Sequence, residues 1–164
     1  SEALSLSDRV AVMNAGKVEQ AGTPLELYES PASAFVRDFI GHTTRLPARV
    51  TGRTAGGEMQ FSVGNSDIRL VSSQSRMNGD GIGITSLACI RPESVVFGDA
   101  MRPDEGNILE GTVKTLLFLG DRYECLLSIG GENVLAYAPR GITLDEGQPV
   151  RIQIPKEAVT LWPS

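Results

Sequence analysis

Side chains able to do chemistry are few in this chain, and they are widely spaced. There is one histidine, His42, and there are two cysteines, Cys89 and Cys125, with no Cys-x-x-Cys pair. That inventory cannot assemble a Cys/His metal cluster, and a Ser-His-Asp arrangement would have to use His42, which lies in an apparent linker. The Gly-x-x-x-x-Gly-Lys-[Ser/Thr] run that cradles a nucleotide phosphate is absent. Gly16-Lys17 comes nearest, but the upstream Gly is missing and Val18 replaces the hydroxyl residue, so it reads as a turn. Ile129-Gly-Gly-Glu-Asn133 lies between two strand patterns and reads as a hairpin turn. The carboxylate pairs Asp104-Glu105 and Asp145-Glu146 flank loops, and two readings stand for them: solvated turn residues, or a weak cation contact. No catalytic, ATP-binding or metal-binding residue is expected. What remains is arginine, which makes up twelve of the fifteen basic residues. Its fork suits bidentate binding of carboxylates or oxyanions where several converge. Arg91, Arg122 and Arg140 fall at strand–turn junctions, and two readings stand: surface ion pairs, or the wall of a small-anion pocket.

The elements that must position these residues fall into two textures. The first runs from residue 1 to about 43 and is mixed α/β. Glu2–Leu6 reads as the end of a helix closing at Ser7-Asp8. Arg9–Asn14 and Lys17–Ala21 read as strands joined at Asn14-Ala-Gly16-Lys17, where Asn and Gly tolerate positive φ. Thr23 is an N-cap with Pro24 at the first helical position and Glu26 closing a capping box. Ser30-Pro31 starts a second helix in the same way. On it Phe35, Val36, Phe39 and Ile40 share one face, and Gly41 is the stop.

His42 to Leu46 reads as a linker, and residues 44–164 form the second region. Candidate strands are Ala48–Arg53, Glu58–Val63, Ile68–Ser72, Gly83–Ile90, Gly111–Leu119, Tyr123–Ile129, Asn133–Ala138 and Val150–Pro155. Short strands broken by turn residues every 8–12 positions predict an all-β barrel or sandwich. The region also repeats itself, over about 46–97 and 108–164. Ala48-Arg-Val50-Thr answers Gly111-Thr-Val113-Lys, Met59–Val63 resembles Glu124–Ser128, and Pro92 answers Pro155 about 63 residues on. Two copies of a unit too small to bury a core alone should close against each other.

Composition sets the outer limits. The chain has 164 residues and a formal charge of −5, which argues against a broad nucleic-acid or anionic-membrane surface. Nine aromatics without basic interleaving point the same way. No apolar run approaches the roughly 20 residues of a membrane span, and no signal peptide is visible. Two thiols fit a reducing, cytoplasmic setting. The opening Ser-Glu-Ala-Leu lacks an initiator Met, as expected where the true start has been cut away.

The stretch Ser1-Glu-Ala-Leu-Ser-Leu-Ser-Asp8-Arg9-Val-Ala-Val-Met-Asn-Ala-Gly16-Lys-Val-Glu-Gln20-Ala-Gly-Thr-Pro24-Leu-Glu-Leu-Tyr28-Glu-Ser-Pro31 resembles ATPase subunits of ABC transporters that import sugars, polyamines and ferric iron. Phe35-Val-Arg-Asp-Phe-Ile-Gly41 continues the likeness to the end of that ATPase domain. Leu46-Pro47, Ile90-Arg91-Pro92-Glu93 and Leu119-Gly120-Asp121 resemble the TOBE domain, an OB-type barrel of those subunits.

The resemblance implies a mainly β fold: a TOBE barrel of two similar repeats at 44–164, preceded at 1–43 by a short α/β tail of the ATPase domain. It implies a regulatory and dimerising module of a subunit whose full length couples ATP hydrolysis, with ATP and Mg, to solute uptake. The family's phosphate loop, signature motif, metal-coordinating Asp and switch histidine would lie upstream of Ser1, so no cofactor is expected in this chain. Expected partners are a second copy and, for the full-length protein, a permease and indirectly a solute-binding protein, at the inner face of the membrane without insertion. A small-ligand or oxyanion sensor barrel is the alternative function. Ligand or regulatory contacts are expected at Arg91, Glu93, Asp121 and Arg122, and a dimer contact at Trp162, for which a core role is an equal expectation. Without an ATPase core to cover it, the stripe of Phe35, Val36, Phe39 and Ile40 is expected to be exposed, docked or disordered.

Overall fold

A computed structural model describes residues 9–164, and the chain divides into two compact units, the second beginning at Thr44. The helix end expected at Glu2–Leu6 lies outside the described residues.

In the first unit, strands β1 (Val10–Asn14) and β2 (Lys17–Gly22) form an antiparallel hairpin. Its turn places the positive φ values at Ala15 (+51°) and Gly16 (+80°), so Asn14 is not the left-handed residue that the sequence suggested. Helix α1 (Pro24–Glu29) follows, with the Thr23 hydroxyl accepting the Glu26 N–H at 3.1 Å. Helix α2 spans Ala34–Phe39 and is capped by Ser33, whose hydroxyl accepts the Val36 N–H at 3.3 Å. The expected start at Ser30-Pro31 is therefore displaced. The Gln20 carboxamide holds the intervening turn, donating to the Ser30 carbonyl and accepting from the Ala32 N–H. The apolar stripe splits. Val36 and Ile40 are buried with Val12 and Leu27, whereas Phe35 and Phe39 stack on each other at 37% and 63% exposure.

The second unit is a pair of curled sheets around one core. Its strands are β3 (Thr44–Arg53), β4 (Met59–Val63), β5 (Arg69–Ser72), β6 (Gln74–Ser75), β7 (Thr85–Ile90), β8 (Val96–Phe97), β9 (Ile108–Phe118), β10 (Arg122–Ile129), β11 (Glu132–Pro139), β12 (Pro149–Gln153) and β13 (Val159–Pro163). The linker expected at 42–46 is shorter than read, because β3 already begins at Thr44 and Leu46 is buried. Alternation along each strand sends Leu46, Val50, Phe61 and Val63 from one half, and Val113, Leu127, Ile129 and Val134 from the other, into a common core.

The two sheets are not the two repeats. The first has the order β5-β4-β3-β7-β13-β6, and the second β11-β10-β9-β12-β8. Each half's closing strand is laid in the other half's sheet. β13 pairs with β7 (Leu161 opposite Ala88), and β8 pairs with β12 (Phe97 opposite Ile152). Buried Val95 lies five residues after Ile90, and buried Val159 five after Ile154, so the two crossings are equivalent. The proline is their only offset, second in Arg91-Pro92 and first in Pro155-Lys156. The expected closure of two repeats on each other thus takes the form of strand exchange. Gly130 and Gly131 make the β10–β11 turn at φ +60° and +82°, and a Cβ on Gly130 would stand 2.6 Å from the Ser66 hydroxyl.

Two carboxamides fasten the connection between the halves. Gln153, fully buried, donates to the Arg102 and Gly106 carbonyls at 2.6 and 2.7 Å and accepts the Arg102 N–H at 2.8 Å. Asn107 pairs with both backbone groups of Val71 at 2.7 and 2.8 Å, occupying edge strand β5 as a further strand would.

Cys125 is completely buried on β10, and its thiol is pushed up to about 11 from 9.0, first by burial and then by the Glu124 carboxylate. Between those values the folded chain keeps a proton that the unfolded chain gives up. Stability should therefore be intact below about pH 9 and fall as pH rises toward about 11. Urea midpoints measured across that interval should show the fall, and Cys125→Ala should remove its thiol-dependent part.

Candidate functional site

The residues singled out from the sequence lie on separate elements of the barrel. Arg91 is half-buried and precedes the 3-10 turn Pro92–Ser94, while Glu93 is exposed on that turn. Asp121 and Arg122 sit at the β9–β10 hairpin, whose three-residue loop closes through the Leu119 N–H to the Arg122 carbonyl at 2.8 Å, with Gly120 at φ +94°. Trp162 is only 7% exposed, and the Arg76 guanidinium lies 5.2 Å from its ring centroid.

The hairpin end gathers stacked arginines. The Arg122 guanidinium carbon lies 3.9 Å from the Tyr137 ring centroid, and that of Arg140 lies 5.8 Å from Phe118. Phe118 in turn packs at 5.2 Å against Tyr123, its cross-strand partner. A guanidinium lying on a ring keeps its in-plane N–H groups available for a carboxylate. The register puts the two pairs on opposite faces. Phe118 and Tyr123 share the core-facing parity, whereas Leu117, Glu124 and Tyr137 line up on the outer face, with Arg122 and Leu126 two residues either side of Glu124. The outer-face residues Leu126, Leu135 and Tyr137 were not singled out from the sequence. The signal was the runs Cys125-Leu-Leu127 and Val134-Leu-Ala-Tyr137, which are apolar at both parities where a strand covered on one face alternates.

A second feature is a cleft of about 390 Å³ lined by Arg53, Glu58, Met59, Ser72, Ser73, Ser75, Met77 and the glycines at 56, 57 and 79. Most of its donors are already engaged. Arg53 donates to the Gly57 and Gly79 carbonyls, the Ser72 hydroxyl is shared among Gln74 and Val159 backbone groups, and Ser73 donates to the Lys156 carbonyl. Glu58 contributes a carboxylate, paired with Lys156 at 2.8 Å, and this pairing pushes the lysine's pKa up. The hydroxyl hydrogen of Ser75, which accepts the Met77 N–H, and the remaining Arg53 N–H groups are the donors left for a small anion.

Two curled half-barrel sheets with exchanged closing strands define an OB-type barrel, and residues 88–162 match the TOBE domain family. In fold it is similar to the cytoplasmic molybdate-binding protein ModG, solved with molybdate bound, at a TM-score of 0.60 and 18% identity over 74% of this chain and 96% of that one. The chain is 36% identical, over 73% of its length, to the spermidine/putrescine import ATP-binding protein PotA of Thermobifida fusca, and 31% identical, over 98%, to the Fe(3+) ions import ATP-binding protein FbpC 2 of Rhizobium meliloti. Its relatives along its length are thus ATP-binding subunits of importers, and the chain spans 30% and 42% of those two. No helix among the described residues is long and apolar enough to cross a membrane.

Proposed function

We propose that the barrel is the regulatory and dimerising module of an importer's ATP-binding subunit, and that the chain is the C-terminal part of that subunit. In this reading the first unit is the closing piece of the ATPase domain. The full-length protein binds ATP and Mg, couples hydrolysis to solute uptake, and works at the inner face of the membrane with a permease and, indirectly, a solute-binding protein. The observation that supports the reading is a self-contained barrel carried by a chain whose relatives, along nearly its whole length, are import ATP-binding proteins. A rigid body joined to an ATPase domain can act by position. It holds two subunits together while their ATPase domains open and close, and any ligand that prefers one arrangement shifts the balance between them. Sedimentation equilibrium of the 164-residue chain should show a concentration-dependent dimer, and a strict monomer at the highest concentrations would overturn the reading.

An oxyanion-sensing barrel is the second reading, supported by the likeness to a molybdate-binding fold and by the serine-lined cleft. Against it stands the internal use of most of the cleft's donors. The same sedimentation runs and thermal melts with molybdate or sulfate decide it, since a site would raise the melting point by mass action and an unchanged melt retires it.

A further inference from the structure

The exchanged barrel carries its own internal control, because the outer faces of its two sheets occupy equivalent places. Along β3, β4 and β5 of the first sheet that face exposes Arg45, Arg49, Gln60 and Arg69, with Pro47 and half-buried Val71 between them, and its larger apolar residues, Leu87 and the buried Trp162, lie on β7 and β13. On the second sheet the equivalent strands carry a cluster of apolar side chains toward the β9–β10 hairpin, around Glu124 and beside Arg122. Leu126 stands opposite Leu135, and Leu117 and Tyr137 stand opposite Glu124 on either side. Leu117 is 55% exposed and the other three are half-buried. Interfaces are rich in tyrosines and arginines of this kind, and exposed leucines clustered beside them add apolar area that association would bury.

We infer that this outer face of β9–β10–β11 is the surface on which a second copy of the chain docks; the inference rests on the dimerising reading above. The charges favour a second copy over a partner of one sign. Arg122 and Glu124 lie two residues apart on the same face of β10, so a two-fold axis through the face sets Glu124 of one copy against Arg122 of the other. Held over the Tyr137 ring at 3.9 Å, Arg122 is restrained before that contact forms, which lowers the entropy lost on binding. Exposed Ile82 and Ile84 form a rival patch on the barrel, but they sit among Gly79, Gly81 and Gly83, all at positive φ, with no stacked ring or arginine to order them.

Sedimentation equilibrium of the whole chain tests the assignment with three sets of variants. Leu117→Ser with Leu126→Ser should weaken dimerisation about tenfold or more, while Gln60→Ser on the first sheet and Ile84→Ser on the rival patch leave it unchanged. Arg122→Glu and Glu124→Arg should each weaken it, and the double reversal should restore it. Restoration is a readout that a merely structural role for either residue would not give. A wild-type dimer that survives the leucine changes, or that weakens with Ile84→Ser instead, overturns the surface. A wild-type chain that stays monomeric overturns the dimerising reading as well.

Discussion

Leu161→Ala should lower the stability of residues 44–164 by about 3 kcal/mol, and its first effect should appear in the half of the barrel most distant in sequence. Leu161 is fully buried on β13, opposite Ala88 of β7, in the sheet otherwise built by β3, β4, β5, β6 and β7. Truncating it removes apolar contacts and leaves a cavity that a close-packed core fills only in part. Urea denaturation would read the loss as a lower midpoint at an unchanged slope. Hydrogen exchange would locate it, with the β7 amides losing protection before those of β10 and β11. Because each sheet contains a strand from the other half, the barrel should unfold in one transition. Two separate transitions, one per repeat, would contradict the exchanged topology.

Gln153→Leu should cost a similar amount, about 2–4 kcal/mol, by a different route. The volume is nearly kept, but Arg102 loses partners for both its N–H and its carbonyl, and the Gly106 carbonyl loses its donor. These groups are part-buried, so each lost partner costs on the order of 1 kcal/mol, and three are lost together. Gln153→Glu should be worse near neutral pH, since a carboxylate would face two carbonyl oxygens with no hydrogen to give them. It should recover partly on acidification, when a protonated carboxyl can donate to one. Denaturation midpoints of the two variants at neutral and acidic pH check both statements; equal behaviour at the two pH values would show that the carboxamide's donors are not what holds the connector.

How much of this could be read beforehand differs between the parts. The longer strands were legible because alternation and turn glycines are local signals, and Thr23-Pro24 announced α1 in the same way. Strands β6, β8 and β13 were not read. β6 and β8 have two residues each, and the place of β8 and β13 is set by pairing with the opposite half rather than by any pattern of their own. The start of α2 moved from Ser30 to Ser33 because the Gln20 carboxamide holds residues 30–32 in a turn. At the candidate site, arginines at strand–turn junctions were visible as a class. That Arg122 lies on Tyr137 depends on the β10–β11 register, which spacing alone does not carry. Gln153 looked like one polar residue in a strand, and only its burial reveals the three backbone groups it serves.

The exchange of closing strands also sets a schedule for the barrel's birth. A polypeptide emerges from the ribosome in order, and domains generally fold as units once all their parts have emerged. Here β3, β4, β5 and β7 emerge early, yet the sheet they begin is completed by residues 159–163. The first half must therefore wait, with the flank of β7 uncovered, while the whole second half is synthesised. Folding of this barrel is deferred to the end of translation of the segment, and in that interval the nascent chain offers an open strand edge to a chaperone or to a neighbouring nascent copy.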